Sequence, residues 1–214
     1  MKLAKEAVQI LIERRAWFGE LLLQHIGLSA IAIILAGILG ILLGIWISEH
    51  DRVSAVVLGT ANVFYTVPSI SLLGLLIPFI GIGNKTAVTA LTIYGIMPMV
   101  RNTYAGIKGV DENVIMAARG MGSTRLQIMV KIKIPLALGM MIAGFRNMVV
   151  MTISVAAIAS FIGAGGLGVA VYRGITIYNA ALTFCGSLLI ALLALFSDWM
   201  LGRLEKQINK RRHM

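Results

Sequence analysis

Side chains that could do chemistry are scarce in this chain, and most of the familiar arrangements are missing. No G-x-x-x-x-G-K-[ST] phosphate loop occurs, no H-E-x-x-H, and no Cys/His spacing of the kind that holds a metal. The chain therefore cannot hydrolyse ATP by itself, and any energy it uses must come from a partner. Gly163–Gly168 does spell G-x-G-x-x-G. It follows an apolar run rather than a strand, and no acidic residue stands about twenty positions later, so it is not a dinucleotide turn. A flexible loop outside the membrane is the reading adopted for it. What remains are polar residues in unusual company. Arg146 and Asn147 lie roughly ten residues into an apolar run, about 15 Å from its start. Tyr65, Pro68 and Ser69 interrupt a second run, and Tyr94 precedes Pro98 in a third. The segment Asp111 to Pro135 is polar enough to stand outside a bilayer between two apolar stretches.

These residues must be positioned by helices that cross a membrane. Of the 214 residues, 58% are hydrophobic and 13% charged, with a mean hydropathy of +0.90. A hydrocarbon core takes about 20 apolar residues per helical span. The net charge of +10 would suggest nucleic acid on a soluble protein. Here the basic residues sit between and after the apolar runs, as in cytoplasmic loops, and no aromatic residues interleave with a basic stripe. Nucleic-acid binding is excluded on that ground. The single Cys185 lies in an apolar run and rules out an internal disulfide. The class expected is an all-α polytopic membrane protein of about five spans.

In order, residues 1–20 read as an interfacial amphipathic helix with Leu3, Ala7, Ile10, Leu11 and Trp17 on one face. A cleaved signal peptide is not expected, since the next apolar run is too long and lacks a small-x-small site. The spans fall near Leu21–Ile47, Val53–Ile80, Thr86–Met99, Leu136–Phe161 and Tyr178–Met200. Together residues 21–200 form the membrane domain, and 201–214 a basic cytoplasmic tail. Gly40 and Gly44 make a G-x-x-x-G pair suited to close helix packing. Pro68 leaves two readings open: an ordinary kink, or a broken helix beside a pathway whose freed carbonyls need protein or water. Arg146 also has two. An intramembrane Arg is a functional candidate, but no acidic residue is placed at its depth, which favours snorkelling or bonding to carbonyls. Five spans put the 49–53 turn, the 111–135 loop and the tail on one side, the cytoplasmic one by charge. The basic N-terminal segment then lies opposite, which conflicts with that rule; reading Val53–Ile80 as two crossings would remove the conflict.

The 111–135 segment has its own helical pattern. Val114, Ala117, Ala118 and Met121 recur at helical spacing. Gly120 and Gly122 then stop or bend the helix. Ser123 and Thr124 can cap a second short helix, and Pro135 suits the first turn of the next. Arg119, Arg125, Lys131 and Lys133 hold this elbow at a membrane surface. The series Ala117-Ala118, Gly122, Ile132 and Ile134-Pro135 resembles the Glu-Ala-Ala-x3-Gly-x9-Ile-x-Leu-Pro loop of membrane subunits of ATP-binding-cassette importers. Met116 stands where Glu is usual in that family, and Ile134 where Leu is usual. The resemblance implies that Met116, Ala117, Ala118, Arg119, Gly120, Met121, Gly122, Ile132 and Pro135 form the surface on which a separate ATPase docks.

Three further stretches narrow the family: Y-T-V-P-S-I-S-L-L-G-L-L-I-P-F-I-G-I-G (65–83), M-P-M-V-R-N-T-Y-A-G-I-K-G-V (97–110) and A-S-F-I-G-A-G-G-L-G (159–168). They are similar to membrane subunits of quaternary-amine importers, which take up glycine betaine, choline, carnitine or related osmolytes. The resemblance implies the type I importer permease fold in a prokaryotic cell membrane. It implies a second membrane subunit, identical or homologous, an extracytoplasmic substrate-binding protein, and an ATPase that holds the ATP and Mg2+. The bilayer is the remaining partner. On this reading Tyr65, Pro68, Ser69, Tyr94, Arg146 and Asn147 line or border the substrate passage. An ATP-independent channel is the alternative from another class, and it would need a charged or carbonyl filter segment, which the sequence does not display.

Overall fold

Backbone polar groups in lipid must be satisfied within the segment, so a chain this apolar is confined to helices or a closed barrel. The computed structural model describes residues 2–210, and among them there are helices and turns and no strand. The elements are α1 (Lys2–Glu13), α2 (Arg15–Ser48), α3 (Asp51–Thr66), α4 (Ser69–Ile80), α5 (Asn84–Lys108), α6 (Glu112–Gly120), α7 (Arg125–Ile128), α8 (Ile134–Ala156), α9 (Gly168–Thr176) and α10 (Ala180–Lys210).

By length and apolarity, three helical stretches can cross a bilayer: Arg15–Ser48, Arg125–Ile162 and Ala180–Gln207. The pair α3 and α4 adds a fourth if its two arms are one span, although they meet at 100°. The expected third span, α5, has the 25 residues needed but less apolarity. Its packing explains why. It lies between α2 and α8, and Ala87, Leu91, Met99, Val100 and Ile107 are buried there. A helix sheathed by protein needs no lipid-compatible surface of its own.

Lipid tails are as apolar as Leu, so helices in a bilayer associate through close van der Waals fit rather than the hydrophobic effect. The G-x-x-x-G pair of α2 provides that fit. A Cβ added at Gly40 would lie 2.6 Å from Met99 Cβ, and one at Gly44 would lie 2.6 Å from Thr103 Cβ, both on α5. On the other side of α5, the Asn102 side chain occupies the space a Cβ at Gly144 of α8 would need. Ala36, Met99, Ile107, Met141, Met148 and Ile153 fill the core between the three helices.

One expectation changes here. The Gly163–Gly168 segment is a tightly packed turn, not a flexible loop: Ala164, Gly166, Leu167 and Gly168 are buried. Gly163, Gly165 and Gly166 have positive φ, and the Ala157 carbonyl stands where a Cβ on Gly168 would go. The glycines serve close packing, which periodicity cannot reveal. Pro135 stands in the first turn of α8, as expected, although no break precedes that helix. The chain passes from α7 through a π-turn, Met129–Lys133, directly into α8. A proline ring clashes with the carbonyl four residues back, and the widened turn just before Pro135 gives it room. The basic tail, finally, continues α10 as far as Lys210, and residues 211–214 lie outside the described part. At the other terminus α1 rests on α10, where the Cys185 thiol donates to the Ala7 carbonyl at 3.3 Å. Leu3, Val8 and Ile12 stay exposed on its outer side.

Candidate coupling surface and substrate passage

The α6–α7 hook is shaped by local bonds the sequence announces. Asp111 caps α6, its carboxylate accepting from the Asn113 amide at 2.8 Å. Gly122 has φ +81°, a left-handed conformation that side chains with a Cβ disfavour. Thr124 then caps α7 in a reciprocal box: the Thr124 amide donates to Gln127 Oε1 at 2.8 Å, and the Gln127 amide donates to Thr124 Oγ1 at 3.3 Å. Ala118, Ile128 and Met129 are buried and anchor the hook to the bundle. Ile115 is half-buried, and the hook's other apolar residues face away. Met116 is 53% exposed, Met121 80% and Leu126 72%, and Val114, Ala117 and Val130 are exposed too. So the helical face formed by Val114, Ala117 and Met121 is not a core face of this chain. Ile132 and Pro135 are half-buried in the following turn.

Ion pairs fix the hook to the same end of the bundle as the first turn. Lys133 Nζ donates to Glu49 Oε1 at 2.5 Å, and Lys108 Nζ donates to Asp51 Oδ1 at 2.5 Å. The hydrogen bond to Asp51 raises the Lys108 pKa above its ordinary value, so the lysine is charged throughout the physiological range. Glu49 and Lys133 also line a concavity of about 410 Å³ with Arg119, Ser123, Arg125 and Ile128. Arg119 and Arg125 make no ion pair within the described residues.

A second cavity, of about 300 Å³, opens among α3, α5 and α8. Asn62, Tyr65, Met97, Pro98, Arg101, Asn102, Asn147 and Met151 line it. Of the residues singled out from sequence, Tyr65 and Asn147 meet here, from helices eighty residues apart. Tyr94 stands just behind, its ring edge-on to Tyr65 with centroids 6.4 Å apart. Tyr94 is buried, and its hydroxyl donates to the Val67 carbonyl at the break between α3 and α4. The helices on either side of Pro68 meet at 100°. The helix is broken rather than kinked, Val67 and Pro68 being extended, and a neighbouring side chain satisfies a freed carbonyl. Ser69 begins α4 beyond the break, half-buried. Asn62, Arg101 and Asn102 were not singled out as lining. A signal existed for Arg101, which is seven residues inside the end of α5.

Arg146 is placed elsewhere, and the absence of an acidic partner is corrected. Arg146 Nε donates to Asp198 Oδ1 at 2.6 Å, and Nη2 donates to Oδ2 at 2.7 Å. Nη1 donates to Glu205 Oε2 at 3.2 Å. This two-pronged grip satisfies the guanidinium fork and ties α8 to α10. Arg146 does not line the cavity that its neighbour Asn147 lines. No motif in the sequence marks His25. It is fully buried in α2, and its Nε2 donates to the Ile153 carbonyl at 3.0 Å, near the point where α8 tightens into the turn Ala157–Ile162.

Helices packed through small residues, a broken helix beside a polar cavity, and an outward hook at one end define a membrane transport subunit rather than an enzyme. Residues 36–210 match the family described as the binding-protein-dependent transport system inner membrane component. The chain belongs to that family. It is 39% identical to the carnitine transport permease protein OpuCB of Listeria monocytogenes over 186 residues, covering 87% of this chain and 85% of the relative. It is 39% identical to the osmoprotectant import permease protein OsmW of Salmonella typhimurium over 205 residues, covering 94% and 95%. Against the glycine betaine/carnitine/choline permease OpuCB of Bacillus subtilis the figure is 34% over 194 residues, 89% of each. The fold also matches an inward-facing MetNI methionine transporter, with TM-score 0.84, 22% identity, and coverage of 92% of this chain and 98% of that one. It is therefore the permease fold of ATP-binding-cassette importers.

Proposed function

We propose that the chain is the permease subunit of an ATP-driven importer for quaternary ammonium compatible solutes such as glycine betaine, carnitine or choline. The observation that carries the solute class is kinship along nearly the whole chain with permeases named for those solutes. In this reading α6 and α7 are the coupling helices. Their outward ridge of Met116, Met121 and Leu126 seats in a cleft of the partner ATPase, which holds the ATP and Mg2+. Ala117, Arg119, Gly120 and Gly122 lie on or beside that ridge, and Ile132 and Pro135 carry its movement into α8. Solute passes beside the α3–α4 break, past Tyr65 and Asn147, with Pro68, Ser69 and Tyr94 bordering the way. A second membrane subunit closes the passage, and an extracytoplasmic binding protein delivers the solute. Arg146 has a positioning role through Asp198 and Glu205. Uptake of labelled glycine betaine, carnitine and choline, with the gene cluster expressed in a cell lacking its own amine importers, tests the assignment. Accumulation of at least one of the three supports it, and accumulation of none rejects the solute class.

A further inference from the structure

The cavity between α3, α5 and α8 has an uneven lining. Arg101 is its one cation, and among the described residues the guanidinium has no ion pair and no hydrogen bond. Arg146 in the same bundle takes two carboxylates. The Arg101 side chain is exposed toward this open cavity rather than enclosed by the helices, so a solute entering the cavity can reach it. Asn62 and Asn147, from α3 and α8, likewise have side-chain amides free of hydrogen-bond partners among the described residues. The other walls are Tyr65, Met97, Pro98, Met151 and Asn102, whose amide already donates to the Pro98 carbonyl. Three donor groups thus converge beside an apolar, aromatic wall in a space at the lower end of small-ligand sites.

We propose that this cavity is a transient subsite for a zwitterion, in which Arg101 takes the carboxylate and Tyr65 faces the quaternary ammonium. The proposal rests on the quaternary-amine reading and deepens it. An unpaired guanidinium repels a plain cation, so choline, which has no carboxylate, is a poor occupant. Glycine betaine and carnitine each bring a carboxylate to the fork and an ammonium to the aromatic face. Asn62 and Asn147 can donate to the same carboxylate or to the carnitine hydroxyl. Because the cavity is open, binding is weak, which suits passage rather than storage.

The experiment uses the complete importer, with its ATPase, binding protein and second membrane subunit, and measures initial uptake of glycine betaine, carnitine and choline. The wild type should carry a zwitterion at least as fast as choline. Arg101→Gln should lower zwitterion uptake at least tenfold at unchanged membrane level, with choline uptake within twofold or raised. Arg101→Lys keeps the charge but not the fork and should lose three- to tenfold; it carries the test if Arg101→Gln fails to assemble. Equal losses for zwitterions and choline, or wild-type zwitterion uptake in Arg101→Gln, would overturn the subsite. So would a wild type that carries choline alone, which leaves the amine-importer reading standing. A wild type that carries none of the three overturns the amine reading itself, before any variant is compared.

Discussion

At the scale of single residues, the structure turns two sequence features into bonds with consequences. The Tyr94 hydroxyl satisfies the Val67 carbonyl at the α3–α4 break. Tyr94→Phe leaves that carbonyl without its donor, a cost of about 1–3 kcal/mol. The variant should insert normally but unfold at lower temperature in detergent, and an unchanged melting curve would show that the bond contributes nothing. Gly122 sits at φ +81° with open space around it. A β-branched residue there meets backbone strain of roughly 1–2 kcal/mol without any steric clash. Gly122→Val should therefore reach the membrane at wild-type level and lose most uptake, while Gly122→Asn, which tolerates the left-handed region better, should retain more. The glycine, the Thr124 cap and the proline were all legible in sequence because each acts within a few residues. The Arg146 partners were not. Asp198 and Glu205 are 52 and 59 residues away, and only the register of α10 against α8 brings them to the guanidinium.

At the scale of elements, that register is itself testable. Arg146 and Asp198 link α8 to α10, each side chain about a third exposed. Residues that share such a pair couple in a double-mutant cycle. Arg146→Gln and Asp198→Asn should each lower the thermal stability of the assembled complex, and the double variant should lose less than the sum. Strict additivity would mean the pair does not hold the two helices. The hook is the second element with a prediction. Its exposed side is an apolar ridge beside a basic concavity, with Met116 where related loops carry Glu. Met116→Leu preserves the flexible apolar contact and should leave ATPase recruitment within twofold. Met116→Lys should lower it tenfold or more in a co-purification assay. Helix existence was readable here from periodicity. The seamless π-turn into α8 was not, because a widened turn leaves the apolar spacing of its flanks intact.

At the scale of the whole molecule, the sequence showed the membrane class plainly, since apolarity is a sum over the chain, and showed the proposed passage only in fragments. Asn62, Arg101 and Asn147 face one cavity because α3 and α8 both pack on α5, and no local pattern encodes that packing. The proposed passage can be tested by labelling. Cys185 is buried, and Cys185→Ser keeps a donor for the Ala7 carbonyl. In that background, cysteines at Tyr65 and Asn147 should react with a small water-soluble thiol reagent, and solute should slow the reaction. Unreactive cysteines at both positions, with and without ATP, would move the passage elsewhere. The central claim is that this chain moves solute only when an ATPase drives it through the α6–α7 hook. The most direct test is solute accumulation in vesicles containing the complete importer, with and without ATP, for the wild type and for Met116→Lys/Met121→Lys. The account predicts accumulation that requires ATP and is lost in the double variant at unchanged membrane level. Flux that persists without ATP, or in the double variant, would contradict it and mark the chain as a channel.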